Sequence, residues 1–510
     1  MRIYKWFCLI VGSCCLLMRG GVCLALTPDL SSLTSVPALT AKTPSAKKIE
    51  QARSKTRPYL FAVNAPLKAT LASGLWDRLD TGTWRWRLRV GSPGAKSLSL
   101  EFSRFHLPAG AELWFYDARG ALVQGPYTPA NHTPEGKLWT AMILGSRGVI
   151  ELHVPYALRD QVELELTSLK YGFRGLGSAD AGETKSAGPP GPGTSDGCEI
   201  DVVCPQGQPW PNEIRSVALI SINGEGFCSG QMLNNTAQNN DPLFVTANHC
   251  GIGQNHCGQN QTDFCSPSSV VFYWNFENSS CRAPSDGQRQ TGGSLNQAQA
   301  GSSLLARDSN SDFTLLRLSQ FPAPEWNVYL SGWNATSNGP QNGASIHHPS
   351  GDVKMISLYN SAPPRGQRQM PAGPTQTWDV IWSQGTTEQG SSGSGLWDQN
   401  HLVVGWLSGG PINACETGPD QYSRMDVAWD SQPAVDQQLK AYLTANGSDT
   451  MVLCGRNLGG PACETQPTPG GGDQPSGGGD EKRGGALAWT LLLPLFFFGA
   501  SRRRIRALFH

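Results

Sequence analysis

The chain has 510 residues, which is too long for one ordinary domain, so we expect two or three. Its 40 basic and 40 acidic residues give a net charge of zero, which excludes a global basic field for nucleic acid and an acidic tail. Only 16% of the residues are charged, whereas 59 are Gly and 36 are Pro, a composition that favours a turn-rich β protein over a helical one.

Residues 1–25 have the pattern of a secretory signal peptide. Arg2 and Lys5 precede an apolar stretch from Trp6 to Leu17, and cleavage is predicted after Ala25. A lipoprotein signal with Cys14 as the modified residue is the alternative. Either signal implies export to an oxidising compartment.

The cysteines agree with export. Four of the 14 cysteines fall in the signal, and the other ten form an even set that begins at Cys198. Disulfides are therefore predicted in the second half of the mature chain. A zinc site is the alternative, but no paired C-x-x-C spacing exists, so we expect no metal and no cofactor.

Residues 26–185 are predicted to form a β-rich, sandwich-like domain. Trp84–Val90 alternates apolar residues with Arg, the period-2 signature of a half-buried strand. The same alternation recurs at 98–102, 150–154 and 162–166. The domain carries no catalytic cluster, and its place between the signal and the catalytic unit favours a pro-domain over an adhesion or carbohydrate-binding module.

A Gly/Pro-rich linker is predicted at 186–197. Exposed Gly/Pro segments are common sites of proteolytic nicking, and Lys185 directly precedes this one. Autocatalytic maturation would therefore leave Ser186 as the new N-terminus.

A catalytic domain is predicted at 198–463. Its expected strands lie at 217–222, 243–246, 270–274, 313–318, 380–382 and 402–407. A C-terminal helix is expected to begin near Pro433, with Val435, Leu439, Tyr442 and Leu443 on one face.

This domain holds a His, an Asp and a Ser in contexts suited to nucleophilic catalysis. His249 follows the 243–246 strand in Thr-Ala-Asn-His-Cys, Asp312 begins an apolar strand, and Ser392 lies in a Gly/Ser-rich turn. A serine hydroxyl needs an imidazole to take its proton and a carboxylate to orient that imidazole. The sequence therefore predicts His249 as base, Asp312 as its partner and Ser392 as nucleophile.

The glycines around Ser392 allow a sharp turn whose N–H groups can face an oxyanion. We expect the oxyanion hole to use the N–H groups of Gly390 and Ser392. By chemistry alone, Ser391 and Ser394 are rival nucleophiles.

The end of the chain reads as a linker followed by a tail. Residues 464–485 are Gly/Pro-rich, and 486–510 combine an apolar run with an Arg cluster. The Gly pair, short apolar span and Arg cluster resemble the GlyGly-CTERM sorting tail of Gram-negative bacteria. An ordinary tail anchor is the alternative.

Several motifs of the catalytic domain resemble those of the lysyl endopeptidases, secreted bacterial proteases of the chymotrypsin-like clan. They occur in matching order at Cys198–Pro205, Thr246–Gly251, Tyr273–Phe276, Cys281–Pro284, Ser311–Leu316 and Ile346–Pro349. The resemblance implies an all-β chain in which a chymotrypsin-like double β-barrel follows the sandwich-like pro-domain. It also implies the disulfides Cys198–Cys415, Cys204–Cys281 and Cys228–Cys250. From the cysteines left over we infer Cys257–Cys265 and Cys454–Cys463.

The resemblance also locates a substrate pocket. In trypsin-like enzymes an acidic residue stands six positions before the nucleophile, where this chain has Thr386. In lysyl endopeptidases the pocket Asp comes later, at the position of Asp420, and Ser408 and Gly409 are expected to contribute to substrate binding. Glu388 and Glu416 are alternative pocket carboxylates, and Asp420 as an exposed turn residue is the structural alternative.

Two positions depart from the family. Its His before the Gly pair is Ser408 here, and its Trp in the loop before the 378–382 strand has no match within 367–374. We expect the triad to be intact, and the departures bear on the strictness of the Lys preference and on the pH optimum. His347 and His348 are interpreted as loop or packing residues.

The sequence thus predicts a secreted serine endopeptidase that cuts after Lys, and secondarily after Arg, exported through the periplasm of a Gram-negative bacterium to the medium or cell surface. The expected partners are protein and peptide substrates and the enzyme's own pro-domain. We expect a monomer that binds no nucleic acid and meets the membrane only through its tail before processing. The alternatives are a protease of other P1 specificity and a vestigial protease domain acting as a surface binding protein.

Overall fold

The structure is a computed structural model that describes residues 28–30, 32–54, 59–175, 195–255, 265–282, 293–411, 415, 418–445 and 448–463. The predicted signal peptide, most of the 186–197 linker, and the tail from residue 464 onward lie outside these ranges. By contacts the chain divides into Met1–Gln466 and Pro467–His510, and all described residues belong to the first unit.

The N-terminal region is built from short antiparallel strands. In chain order these are β1 (Ala38–Thr40), β2 (Tyr59–Leu60), β3 (Ala62–Thr70), β4 (Leu75–Arg78), β5 (Thr83–Gly91), β6 (Ser97–His106), β7 (Glu112–Asp117), β8 (Val123–Tyr127), β9 (Leu138–Trp139), β10 (Ile143–Leu144), β11 (Arg147–Pro155) and β12 (Glu163–Gly172). One sheet has the order β1-β5-β11-β7-β8 with β4 on β5, and the second has the order β10-β6-β12-β3 with β9 on β6. Within the described residues of these two sheets, the pairing of β1 with β5 is the parallel one.

The two sheets enclose a shared apolar core, as the alternating pattern predicts. Leu88 of β5 pairs with Ile150 of β11, and Leu100 of β6 pairs with Leu169 of β12; all four are buried. Residues of one face of a strand point the same way, so each strand contributes every second side chain to this core. The predicted β-sandwich is confirmed.

The Arg face of β5 is covered rather than exposed. Arg85 and Arg87 are 8% and 1% exposed, and both donate to Asp77 of the neighbouring β4. Alternation alone predicts a solvated face, but a paired carboxylate allows these guanidinium groups to be buried.

The first barrel of the catalytic domain contains β13 (Val217–Ile222), β14 (Gly226–Leu233), β15 (Leu243–Ala247), β16 (Val271–Trp274), β17 (Ala298–Ala300), β18 (Ser302–Asp308) and β19 (Phe313–Leu318). The sheet order is β17-β16-β13-β14-β15-β19-β18. Its two edge strands, β17 and β18, follow each other through Gly301, whose φ of 95° gives the sharp bend that brings the edges together.

The second barrel contains β20 (Tyr329–Leu330), β21 (Trp333–Asn334), β22 (Gly343–His347), β23 (Met355–Tyr359), β24 (Arg365–Met370), β25 (Gly373–Val380), β26 (Gly395–Asp398), β27 (Val403–Gly409), β28 (Asp420–Arg424), β29 (Val452–Leu453) and β30 (Arg456–Asn457). The main sheet order is β23-β22-β26-β27-β28-β25-β24, with β21 linking β27 to β29. A second apolar core runs between the barrels and includes Phe244, Trp333, Trp397 and Trp406. The catalytic domain is therefore the double β-barrel that the sequence predicts.

Helices are short. The α-helices of the described residues are α1 (Ala46–Arg53), α2 (Pro211–Ser216), α3 (Met425–Ala428) and α4 (Lys440–Leu443), and the 3-10 helices are Leu33–Ser35, Leu71–Ser73, Pro129–Asn131, Tyr156–Gln161, Pro205–Gly207, Asn248–Cys250, Pro267–Ser269, Pro324–Trp326, Pro349–Gly351 and Val435–Gln437. The predicted C-terminal helix is thus broken into a 3-10 turn and α4. Leu439 and Leu443 are buried, but Val435 is 62% exposed, so the expected continuous apolar face does not form. Across the described ranges, no helix has the length and hydrophobicity needed to span a membrane.

Candidate active site

His249 lies where β15 ends. The strand leads into the 3-10 turn Asn248–Cys250, which closes on Gly251 at a φ of 91°. Its imidazole Nδ1 is 2.9 Å from Asp312 Oδ2, and its backbone N–H donates to Asp312 Oδ1 over 2.9 Å. The two contacts fix both the ring and the backbone of His249 against one carboxylate.

Asp312 is fully buried at the start of β19. Its backbone has a φ of 50°, a left-handed conformation that Asp tolerates better than most residues. The preceding turn is held by Asp308, which accepts hydrogen bonds from both the N–H and the hydroxyl of Ser311. This turn presents the Asp312 carboxylate as an acceptor toward His249.

Ser408 adds a third donor to Asp312. Its hydroxyl is fully buried and donates to Asp312 Oδ2 at 2.5 Å, and it lies 2.5 Å from the Ser423 hydroxyl. The predicted substrate-binding role does not fit this position, because the hydroxyl points into the interior toward the carboxylate. Gly409, the next residue, ends β27 and pairs with Gln421 of β28. Its contribution to substrate binding stays a prediction.

The structure distinguishes the three serines of the Gly/Ser-rich turn. Ser391 and Ser394 are fully buried, with Ser391 Oγ 2.8 Å from His347 Nδ1 and Ser394 Oγ accepting from Ser345. Ser392 is partly exposed, and its hydroxyl has no hydrogen-bond partner among the described residues. Of the three, Ser392 alone presents a free hydroxyl to a substrate.

The turn that holds Ser392 packs against the segments next to His249. The Ser392 carbonyl accepts the N–H of Ser229 at 2.9 Å, next to the disulfide that joins β14 to the His249 turn. A Cβ on Gly393 would overlap Thr246 Oγ1 and lie 2.7 Å from Ala247 N, so the nucleophile turn is packed directly on the end of β15. Within the described part of the chain His249 Nε2 has no partner, and no hydrogen bond joins it to Ser392 Oγ.

The turn around Ser392 carries two backbone donors, at Gly390 and at Ser392 itself. Gly390 has a φ of 95°, and its carbonyl accepts the Ser229 hydroxyl at 3.0 Å. The N–H groups of Gly390 and Ser392 donate no hydrogen bond to any described residue. Unpaired N–H groups beside a nucleophile have the chemistry needed to bind an oxyanion.

Asp420 is a buried residue at the start of β28, so the exposed-turn interpretation is wrong. It is 1% exposed, and its Oδ2 accepts hydrogen bonds from Trp382 Nε1 at 2.5 Å and Thr387 Oγ1 at 2.7 Å. Burial raises the pKa of Asp420 to about 6. A Cβ on Gly410 would overlap Asp420 Oδ1, which explains a glycine two residues after Ser408.

Glu388 does not share the surroundings of Asp420. Its carboxylate accepts the backbone N–H of Asp196 at 2.6 Å and the Ser350 hydroxyl at 2.7 Å. Burial raises the pKa of Glu388 to about 7. Glu416, the other alternative, lies outside the described residues, as do the loop positions on either side of Cys415.

Four of the five predicted disulfides are present: Cys198–Cys415, Cys204–Cys281, Cys228–Cys250 and Cys454–Cys463. Cys265 is disulfide-bonded, and its predicted partner Cys257 lies outside the described residues. Within the described ranges no cluster of three or more His, Cys, Asp or Glu residues is arranged to hold a metal ion.

Sequence reasoning missed three contributions to the site. Trp382 and Thr387 hold Asp420, and Ser408 holds Asp312. Each contact joins two segments that are distant in sequence, so no local motif indicates it. The contact between His347 and Ser391 was also missed, since a His close to a Pro-Ser-Gly turn was interpreted as a loop or packing residue.

Two regions of the chain match models of one protein family. Residues 34–171 match "Lysyl endopeptidase N-terminal domain", and residues 192–424 match "Lysyl endopeptidase, C-terminal domain". A curated lysyl endopeptidase of Pseudomonas aeruginosa is 28% identical over 364 residues, which cover 66% of this chain and 71% of that protein.

Solved protease structures show more distant likenesses. The active form of the Rv3671c protease from M. tuberculosis is 18% identical with a TM-score of 0.29, over 44% of this chain and 84% of that one. A Glu endopeptidase is 16% identical with a TM-score of 0.28, over 43% of this chain and 88% of that one.

The match to the N-terminal domain precedes the match to the C-terminal domain, and together the two matches span more than two thirds of the chain. The chain therefore belongs to the lysyl endopeptidase family and is a serine endopeptidase.

Proposed function

We propose that this protein cleaves peptide bonds after Lys, through an acyl-enzyme on Ser392. The observation that carries the proposal is the pairing of His249 with the buried Asp312 beside a turn in which only Ser392 has a free hydroxyl. The Ser408 hydroxyl holds the Asp312 carboxylate in place, because it donates to the same oxygen that faces the imidazole.

The chemistry follows from the direction of these hydrogen bonds. Asp312 is an acceptor, so His249 carries its proton on Nδ1 and leaves Nε2 free to take the proton of Ser392. Ser392 Oγ then attacks the carbonyl carbon, and the N–H groups of Gly390 and Ser392 receive the oxyanion. The His249 imidazolium returns the proton to the leaving amine, and water attacks the acyl-Ser392 by the same steps in reverse.

Asp420 is the proposed selector of the P1 side chain. Both hydrogen bonds it receives fall on Oδ2, and within the described residues nothing donates to Oδ1. A Lys ammonium could supply that missing donor and offset the burial that disfavours the charged carboxylate. The two side chains that donate to Asp420, an indole and a hydroxyl, are neutral. Arg368 contributes a favourable charge from farther away, but burial dominates and raises the pKa of Asp420.

The N-terminal domain is the proposed pro-domain, and its contacts suggest how it restrains the enzyme. Leu60 and Tyr59 of β2 pair with Gly226 and Phe227 of β14, and Phe61 stacks on Phe227 with ring centroids 3.8 Å apart. Ser229, two residues beyond Phe227 on the same edge of β14, donates its N–H to the Ser392 carbonyl. At the rise of a strand, Ser229 lies about 7 Å from Phe227. A substrate running past Ser392 along this edge would compete with β2.

The interface also includes a buried charge cluster. Lys170 of β12 reaches Glu225, next to β14, at 3.4 Å and Glu101 of β6 at 2.9 Å. Around it, the apolar core of the sandwich continues into the first barrel through Leu219, Phe227, Val271 and Tyr273. Separating the domains would expose this core, so we propose that the pro-domain stays bound after the linker is cut and leaves only when it unfolds or is degraded.

The remaining proposals concern export. Disulfides in the catalytic domain are consistent with an oxidising compartment, and we propose a secreted or surface-bound, monomeric enzyme of a Gram-negative bacterium. The proposed signal peptide, Lys185 maturation site and GlyGly-CTERM-like tail complete this route.

Covalent labelling tests the proposal. Matured protein is treated with a fluorophosphonate, digested, and searched by mass spectrometry for the adduct. We expect one adduct, on Ser392, that is absent from Ser392→Ala and prevented by prior denaturation. An adduct on Ser391 or Ser394, or none on folded protein, would reject the assignment and favour the vestigial binding protein.

A further inference from the structure

His347 is a fully buried residue directly behind the nucleophile turn. It ends β22, its Nδ1 is 2.8 Å from Ser391 Oγ, and its Nε2 is 3.1 Å from Ser357 Oγ. Neither serine reaches the substrate, because both are fully buried. The imidazole therefore joins two structural hydroxyls and takes no part in the proton transfers described above.

The proton positions in this network are fixed by its ends. Ser357 donates its single hydroxyl proton to the Thr386 carbonyl at 2.5 Å, so toward His347 it can only accept. The proton on His347 must then be on Nε2, and Nδ1 accepts the proton of Ser391. Ser391 Oγ in turn accepts the backbone N–H of Glu388 at 3.2 Å.

The two ends of the network lie in different parts of the site. Ser391 stands between Gly390 and Ser392, whose N–H groups form the proposed oxyanion hole. Thr386 precedes Thr387, whose hydroxyl holds Asp420. The His347 imidazole thus connects the turn of the proposed oxyanion hole to the segment Thr386–Thr387, which holds the Asp420 carboxylate. This segment is called the pocket wall below.

We propose that His347 is a positioning residue that sets the oxyanion-hole turn through Ser391 and ties it to the pocket wall through Ser357. This inference rests on the proposed function, since it assigns His347 to the hole beside Ser392. The neutral Nε2–H form suits the role because it offers one acceptor to Ser391 and one donor to Ser357. Burial lowers the pKa of His347 to about 3, which keeps it neutral despite the Glu199 carboxylate 3.8 Å from Nε2. The neighbouring His348, whose pKa burial also lowers, does not favour a charge on His347.

The expected kinetic signature follows from where the oxyanion forms. The N–H groups contact a developing charge that exists only after attack, so loosening them lowers kcat more than it changes KM. Removing one whole oxyanion donor typically lowers kcat by about 10²–10³-fold. Loosening the turn without removing a donor should lower kcat by about 10- to 100-fold.

Ser391→Ala and Ser357→Ala each cut the network at one end and delete a single oxygen. Ser331→Ala is the matched control, since Ser331 is also a fully buried serine of the second barrel, hydrogen-bonded to Ser216. For each variant we would measure kcat and KM on a Lys peptide substrate and the inhibition constant of a peptidyl-lysine aldehyde, which places an oxyanion in the hole. We expect kcat to fall about 10- to 100-fold in both network variants, and the inhibition constant of the aldehyde to rise by a similar factor. KM should stay within about threefold of the wild-type value. Ser331→Ala should leave all three constants unchanged.

The double variant and the imidazole itself give two further tests. Because both serines act through His347, Ser391→Ala/Ser357→Ala should be no slower than the worse single variant. In ¹⁵N-histidine NMR spectra, His347 should show the neutral Nε2–H form from pH 5 to 8, and Ser357→Ala should disturb it.

Additive losses, a KM effect equal to the kcat effect, or an Nδ1–H or titrating His347 would overturn the proposal. If the wild-type protein shows no Ser392-dependent hydrolysis, the proposed function fails. The NMR spectra then still report whether the network exists.

Discussion

Replacing Asp420 by Asn tests the pocket with little change in shape. Both hydrogen bonds to Asp420, from Trp382 and Thr387, fall on Oδ2. An Asn side chain keeps them by placing its carbonyl oxygen there, which puts its NH₂ at the Oδ1 position. The substrate ammonium then meets a donor in place of a carboxylate oxygen.

The magnitude for a Lys substrate follows from the loss of one partner of a buried charge pair. Such truncations cost about 2–5 kcal/mol, which is about 30- to 5,000-fold in kcat/KM. A substrate with Gln at P1 should lose little, so the Lys/Gln preference should collapse.

Stability should change in the opposite direction. The pKa of Asp420 is raised from 3.8 to about 6, so the folded state binds the proton more tightly than the unfolded state does. The ionised carboxylate therefore destabilises the fold increasingly as pH rises from about 4 to 6, by roughly 3 kcal/mol above that range. Asp420→Asn removes this term, and the free energy of unfolding at pH 8 should rise.

The assay is kcat/KM on matched Lys and Gln peptides, together with urea unfolding at pH 8. Asp398→Asn is the control, because Asp398 is also a buried carboxylate of the second barrel whose pKa is raised by burial. Its Oδ1 accepts two backbone N–H groups, and the amide oxygen of an Asn can keep both hydrogen bonds. Lys and Gln substrates affected equally by Asp420→Asn, or a Lys substrate unaffected, would refute the assignment of the pocket.

Three further predictions use other contacts of the site. Burial raises the pKa of Asp420 to about 6, so the ratio of kcat/KM for a Lys substrate to kcat/KM for a Gln substrate should fall about tenfold per pH unit below 6. Protonation of the catalytic base affects both substrates equally and cancels in this ratio. A ratio that stays flat from pH 4.5 to 8 would contradict the prediction. Ser408→Ala removes the donor 2.5 Å from Asp312 Oδ2 and should lower kcat/KM about tenfold or more, with Ser408→Thr retaining most activity; equal rates in all three proteins would argue against the contact. Phe61→Ala removes the ring stacked on Phe227 and should weaken the association of the two domains by about 3 kcal/mol or more. In gel filtration, protein cut at the linker should then release its N-terminal domain at a lower urea concentration. Release at an unchanged urea concentration would count against the proposed interface.

Much of the fold was readable from local pattern. The strands expected at 217–222 and 313–318 coincide with β13 and β19, because each is a short apolar run bounded by turn residues. The predicted helix near Pro433 failed because periodicity cannot tell whether a face will be covered. Leu439 and Leu443 find a core, whereas Val435 does not.

The site was predictable where one segment carries the chemistry and unpredictable where two segments must meet. His249, Asp312 and Ser392 each stand in a telling local context. Ser392 was chosen over Ser391 and Ser394, its rivals by chemistry. The full burial of those two serines, which the Gly/Ser repeat does not encode, separates them from Ser392 in the structure. Asp420 was reached only through the family resemblance, and its donors Trp382 and Thr387 come from the segment that follows β25, the strand paired with β28.

The interface between domains could not be read from sequence at all. β2 is two residues long and pairs with β14 of the barrel across more than 160 positions of chain. A strand this short has no periodicity of its own, and its partner is set by the packing of Phe61 on Phe227. The sequence places a boundary between the N-terminal region and the catalytic domain, whereas in the structure the two share an apolar core.

Mass spectrometry of a denatured protein mixture digested by the matured enzyme, beside Ser392→Ala, tests whether the protein is a Ser392-dependent endopeptidase that cuts after Lys. We expect new C-termini at Lys, with Arg second, in the wild-type digest and none above background for Ser392→Ala. New termini that persist in Ser392→Ala, or that fall mainly after residues without a positive charge, would contradict it.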